Sequence, residues 1–285
     1  MSGAVTTPQA TAVPRRRFDS RRIYVALVFI PLFYALVHYA PPAGLFGLAA
    51  LAAVIAVTEF YRLAFHTARV PALVQLTGLA ATVLLLATAQ WPGLLPDRAV
   101  VTGLILIALC VPLAVQRAHA HGLTDPVLLA FGPLYIGLAL GHVLMTRALA
   151  DGEWLVFFVV LVTWAGDTGA YYAGMSVGRN KLAPSISPNK TVEGLIGGLI
   201  LAVVAAFAAR EWFLPSFTTG DCLAAGLLLT AAGVAGDLAE SALKRGAGVK
   251  DSGSLLPGHG GLLDRLDSLL FTAPVFYYYV TFVRG

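Results

Sequence analysis

VEGLIGGLILAVVAAFAAR, residues 192–210, is a run of apolar and small residues with one acid near its start and one base at its end. A helix rises 1.5 Å per residue, so about 20 such residues cross a hydrocarbon core of about 30 Å. Similar runs lie at about 22–40, 43–61, 71–90, 99–117, 125–147, 154–177, 219–243 and 262–283. The breaks between them carry turn residues, among them Pro41-Pro42-Ala43-Gly44, Trp91-Pro92-Gly93, His121-Gly122 and Leu214-Pro215. Composition agrees: of 285 residues 58% are hydrophobic and 12% charged, with a mean hydropathy of +0.79. Soluble domains carry about 25% charged residues. The expectation is an all-α, polytopic integral membrane protein with about nine transmembrane helices. Cys110 and Cys222 both lie in apolar runs, which argues against a disulfide framework and a structural zinc site.

Basic residues are retained on the cytoplasmic side of a membrane and set the expected orientation. Nine spans place Arg15, Arg16, Arg17, Arg21, Arg22, Arg62, Arg69, Arg117, Arg179, Lys181, Lys190, Lys244, Arg245 and Lys250 on the N-terminal side. Only Arg98, Arg147, Arg210 and Arg284 fall opposite, so the N-terminus is expected in the cytoplasm and the C-terminus outside. Residues 1–20 read as a disordered basic cytoplasmic arm, residues 21–150 as a transmembrane scaffold, and residues 151–285 as the transmembrane catalytic region. The acids motivate that division. Only Asp19, Glu59, Asp97 and Asp125 precede residue 150, whereas Asp167, Asp237, Glu240, Asp264 and Asp267 lie inside or at the ends of later spans.

SALKRGAGVKDSGSLLPGHGGLLDRLD, residues 241–267, is the densest polar stretch, holding Lys244, Arg245, Lys250, Asp251, His259, Asp264, Arg265 and Asp267. Charge between or within spans is costly and marks a site or a set of partners. Residues three apart share a helical face, so Asp237 with Glu240, and Asp264 with Asp267, form two carboxylate pairs at neighbouring span ends. Oxygen-rich sites of this kind suit a hard cation such as Mg2+. Spacing alone equally allows buried ion pairs with Lys244, Arg245 and Arg265. The glycines around Gly258, Gly260 and Gly261, just before a helix, let backbone N–H groups approach an anion. Carboxylates for a metal beside a basic, Gly-rich anion cradle point to metal-assisted phosphoryl or nucleotidyl transfer.

A second polar island spans residues 164–194. Asp167 lies inside a span between Gly166 and Gly169, which makes it a functional candidate. Farther along, Asn189 or Thr191 is placed to cap the next helix with Glu193 in its first turn, leaving Lys190 for a phosphate. Ser187, Lys190 and Thr191 are therefore candidate phosphate contacts.

The pattern Ser241, Leu243, Lys244-Arg245, Lys250-Asp251, Gly253, Leu256-Pro257, His259-Gly260-Gly261, Asp264-Arg265, Leu266, Asp267 resembles the signature of the phosphatidate cytidylyltransferase, or CDP-diglyceride synthetase, family. GDTGAYYAG and KLAPSISPNKTVEGLIGG also resemble family segments, so the likeness covers roughly residues 160–270. It implies the Mg2+-dependent reaction of CTP with phosphatidate to CDP-diacylglycerol and pyrophosphate, with a second, monovalent cation such as K+. Carried over by position, Asp237 and Asp264 are expected metal ligands, with Asp267 and Asp167 as additions. Lys244, Arg245 and Lys250 are expected to offset transition-state charge, Asp251 to orient Lys250 or a metal-bound water, and Arg265 to pair with a carboxylate or the lipid phosphate. His259 has two readings, a phosphate contact or a structural hydrogen bond in the glycine turn. The expected setting is the cell inner membrane, with the site facing the cytoplasm.

Two other enzymes share features with this pattern: a CTP-dependent lipid kinase, which would release CDP, and a CDP-alcohol phosphotransferase, whose spaced-aspartate motif is missing here. An ion-coupled transporter is disfavoured because no internal repeat is seen and the acids gather at helix ends. The Gly194 to Gly198 spacing permits close helix packing and a homodimer. Nucleic acid is not an expected partner.

Overall fold

The computed structural model describes residues 32–65, 70–114, 123–253 and 260–284. Helical residues 32–39 lead into α1 (Pro42–Ala64), followed by α2 (Ala72–Gln90) and α3 (Asp97–Ala114). α4 runs over Thr124–Arg147 and contains a wider π-helical turn at Pro133–Leu138. α5 (Gly152–Val177) is joined to α6 (Val192–Trp212) by two short strands, β1 (Lys181–Ala183) and β2 (Ser187–Thr191). α7 (Thr219–Gly246) and α8 (Leu263–Arg284, its last turn π-helical) complete the order.

Among the described residues seven helices, α1, α2 and α4–α8, are long and apolar enough to cross a membrane. This is an all-α, multi-pass membrane architecture. The expected span at 99–117 appears as α3, whose apolar part, Arg98–Val111, is shorter than a full crossing. The first part of the run at 22–40 lies outside the described residues, as do the arm at 1–20 and Arg69 and Arg117. The strands are an addition to the all-helical expectation. They pair antiparallel, Lys181 opposite Thr191 and Ala183 opposite Ser187, with an irregularity between. Pro184 and Pro188 hide this hairpin from a pattern reading, because proline inside a run signals a loop.

Local signals account for the helix starts. Thr218 caps α7 by accepting from the Asp221 N–H, while the Asp221 carboxylate accepts from the Thr218 N–H in return. Thr191 caps α6 by accepting from the Gly194 N–H at 3.1 Å.

Two apolar clusters form the core. One gathers Ala53, Val57, Phe60 and Tyr61 of α1 with Leu86 of α2, Leu129, Ile136 and Leu140 of α4, and Leu263, Leu270 and Ala273 of α8. The other joins Phe158 and Val162 of α5, Ala202 and Ala206 of α6, Ala225 and Leu229 of α7, and Phe276 and Val280 of α8. α8 is common to both, and Thr163 of α5 donates to Thr272 on it at 3.0 Å.

α5 and α6 pack backbone to backbone. A Cβ on Gly198 would stand 2.8 Å from the Gly166 carbonyl oxygen, and one on Gly194 would stand 2.9 Å from that of Ala170. The Gly194 to Gly198 spacing thus serves the close helix packing that it permits, here inside the chain. Close approach of this kind is how small residues hold helices together in lipid.

Candidate active site

The C-terminal ends of α1, α5 and α7 meet the N-terminal ends of α6 and α8 at one end of the bundle. There a cavity of about 650 Å³ opens. Its polar wall includes Asp167 of α5, Lys190 and Thr191 of the hairpin, Asp237 of α7, and Asp264 and Asp267 of α8. Ser187, Lys181 and Arg265 also line it, as do the apolar side chains of Tyr171, Met175, Leu182, Leu195 and Val234. Sequence positions separated by up to 100 residues thus face one space.

The four aspartates differ in what holds them. Lys190 Nζ lies 2.8 Å from Asp237 Oδ2, and Ser241 Oγ donates to Asp237 Oδ1 at 3.3 Å. Lys190 is therefore engaged by a carboxylate, not free as its sequence context suggested. Asp264 is more fully occupied: Oδ1 faces Lys244 Nζ at 2.5 Å, and Oδ2 accepts from Gly261 N–H at 2.7 Å, Ser252 Oγ at 2.9 Å and Ser252 N–H at 3.0 Å. The Gly261 N–H, expected to meet a phosphate, is spent on this carboxylate. Asp167 and Asp267 have no ion pair among the described residues. Asp167 Oδ1 accepts from Ser268 Oγ at 3.4 Å, and Asp267 Oδ1 from the Ser268 N–H at 2.7 Å.

Glu240 departs from its expected role. It is fully buried, outside the cavity lining, and pairs with Lys244 at 2.7 Å. The ion-pair reading holds for this residue, one turn before the lysine on the same helix. Lys244 itself bridges two carboxylates from α7 and α8. Arg245 is exposed and donates to the carbonyls of Ile186 at 3.4 Å and Val249 at 3.1 Å, tying the hairpin to the end of α7. Lys250 and Asp251 are exposed and do not line the cavity. Gly260 adopts φ +80°, a turn that only glycine takes without strain. Gly258 and His259 lie outside the described residues.

One functional neighbour escaped the sequence reading. Glu59 of α1, 4% exposed, reaches across the bundle to accept from the N–H groups of Leu262 at 3.1 Å and Leu263 at 2.8 Å, and from Ser252 Oγ at 3.2 Å. Its signal in sequence is a lone carboxylate in an apolar span.

The donor set fits a magnesium ion shared with a substrate. Four aspartates from α5, α7 and α8 line one cavity, and two of them, Asp167 and Asp267, lack a basic partner among the described residues. No three acidic, His or Cys side chains among the described residues stand close enough to enclose an ion by themselves.

Comparison with known proteins gives a consistent result. The model of the cytidylyltransferase family matches residues 20–283. An uncharacterised Escherichia coli K12 protein, YnbB, is 48% identical over 139 residues, 49% of this chain and 46% of that protein. The phosphatidate cytidylyltransferase of Bacillus subtilis strain 168 is 45% identical over 146 residues, 51% of this chain and 54% of that protein. These matches span about half the length of the relatives concerned. A Staphylococcus aureus strain COL protein, also named phosphatidate cytidylyltransferase, is 34% identical over 206 residues, covering 72% of this chain and 77% of that one.

Proposed function

The chain belongs to the cytidylyltransferase family, and from that premise we propose that it transfers the cytidylyl group of CTP to phosphatidate, forming CDP-diacylglycerol and pyrophosphate. The observation that carries this reading is the cavity's mixed lining, carboxylates and lysines together with tyrosine, methionine and aliphatic side chains. A lipid phosphate meeting a nucleoside triphosphate uses both kinds of side chain.

In this reading a phosphate oxygen of phosphatidate attacks the α-phosphorus of CTP. The new P–O–P linkage forms as the bond to the bridging oxygen of the β-phosphate breaks, and pyrophosphate leaves with that electron pair. No serine or cysteine nucleophile is needed. Lys190, placed by its contact with Asp237, and Arg265 and Lys181 on the lining supply positive charge to the phosphates. The acyl chains lie along Tyr171 and Met175, both exposed on α5. Asp167 and Asp267, which have no ion pair among the described residues, would hold Mg2+, which supplies charge to the phosphate oxygens. A triphosphate facing two unpaired carboxylates is otherwise repelled, which is the physical reason to include the ion.

The purified protein in mixed micelles, given phosphatidate and CTP labelled at the α-phosphate, should place the label in a lipid product and release pyrophosphate. Labelled CDP as the released product would replace this reading with a CTP-dependent lipid kinase.

The same reading puts the cavity on the cytoplasmic side of the cell membrane, where CTP is present. Arg62, Arg179, Lys181, Lys190, Lys244, Arg245 and Lys250 all belong to the cavity end of the bundle, in keeping with positive charge retained inside. Ser185, exposed in the turn between β1 and β2, gives a test. A cysteine there should react with a membrane-impermeant maleimide only in opened cells or inverted vesicles. Labelling in intact cells would reverse the orientation.

A further inference from the structure

α8 begins without a local cap. Its N-cap position is Leu262, with φ −72° and ψ −34°, and no side chain of its own segment accepts from the first turn. The first N–H groups of a helix need acceptors, and burial makes their absence costly. Two carboxylates meet that need here. Asp264 accepts from the Gly261 N–H, and Glu59, more than 200 positions earlier, accepts from Leu262 and Leu263. Ser252 joins the two: its hydroxyl lies 3.2 Å from Glu59 Oε2 and 2.9 Å from Asp264 Oδ2. The residues on either side of segment 254–259 are thereby drawn to one point beside the cavity.

The glycines at this point follow from Glu59. A Cβ on Gly253 would stand 2.6 Å from Glu59 Oε1, and one on Gly261 would collide with Glu59 Oε2 and Ser252 Oγ. Two signature glycines thus leave room for a carboxylate from the opposite half of the chain. Ordinary scaffold packing does not explain an acid there: Glu59 sits on an otherwise apolar helix and pairs with no cation among the described residues.

We propose that Glu59 is a positioning residue for the transfer reaction, holding the start of α8 so that Asp264, Arg265 and Asp267 face the nucleotide phosphates. The proposal rests on the cytidylyltransferase reading. Glu59 touches no substrate. It acts through the backbone of Leu262 and Leu263 and through Ser252, so its loss moves the phosphate-facing residues of the site and leaves the apolar lining in place.

Glu59→Gln keeps the volume but turns one acceptor into a donor facing N–H groups. Hydrogen exchange in the full-length protein, read on peptides covering 260–270, reports the clamp without reference to activity. Exchange at Leu262 and Leu263 should rise at least about tenfold, the scale of one lost buried hydrogen bond. KM for CTP should rise at least about tenfold while KM for phosphatidate stays within about twofold. Unchanged exchange would overturn the proposal, and so would a fall in kcat with both KM values unchanged, the signature of a merely structural residue. If Glu59→Gln does not yield a monodisperse protein, Ser252→Ala removes the shared hydroxyl and should give the same split between the two KM values; equal change in both would overturn it. A wild-type protein that forms no CDP-diacylglycerol would defeat the functional reading separately, with the exchange measurement still deciding the clamp.

Discussion

Lys244→Met is expected to lower cytidylyl transfer at least about a hundredfold and to destabilise the fold by about 3–5 kcal/mol. The lysine amine lies 2.7 Å from Glu240 and 2.5 Å from Asp264, and Glu240 is fully buried. Glu240 Oε1 has no hydrogen-bond partner among the described residues, and Lys244 is the one basic partner of Glu240 among them. Taking the cation away leaves a carboxylate in a low-dielectric interior beside a second one, the situation in which a broken buried pair costs most. Activity falls with it, because Asp264 loses the contact that orients it on the cavity wall. Rates on CTP and phosphatidate, together with thermal unfolding in detergent, measure both. The double variant Lys244→Met with Glu240→Gln separates them: neutralising Glu240 should restore most of the stability and little of the rate. A single variant as stable as the wild type would remove this account of Lys244.

Asp267→Asn should move stability and activity in opposite directions. The carboxylate faces the cavity with Asp167 and Asp237 and has no ion pair among the described residues. In the metal-free protein its removal relieves repulsion, so the unfolding temperature should hold or rise. On the proposed reading the same change removes a Mg2+ ligand once substrates are present, and the rate should drop about 10²- to 10³-fold, comparable to losing one preorganised electrostatic group. The stabilisation that added Mg2+ and CTP give the wild type should shrink in parallel. Retention of the full Mg2+ response would move the ion away from Asp267.

What could be read from sequence depended on whether a residue's partners lie within its own helix. The apolar runs for α1, α2 and α4–α8 follow from length and hydropathy, which are local. So does the Glu240 to Lys244 pair, one turn apart on α7, and the Thr191 cap. The contacts that assemble the site are of another kind. Lys190 with Asp237, Ser268 with Asp167, and Glu59 with Leu262 join separate helices, and no periodicity in one element encodes the face of another. Ranking the acids by position placed Glu59 with a scaffold, when its burial in an apolar helix was the better signal. The π-helical turn in α4 went unseen for a related reason. Pro133 could equally have ended that helix, and only its packing against α2 and α8 shows that the helix widens and continues.

The bridge from Glu59 to the start of α8 joins nearly the first described span to the last. During synthesis the acceptor emerges some 200 residues before the final helix that it meets. Long-range closure of this sort is entropically slow. A chain stopped short of α8 therefore lacks the Leu263 N–H that Glu59 accepts from in the finished bundle, and the cavity end is complete only when the last span is in place.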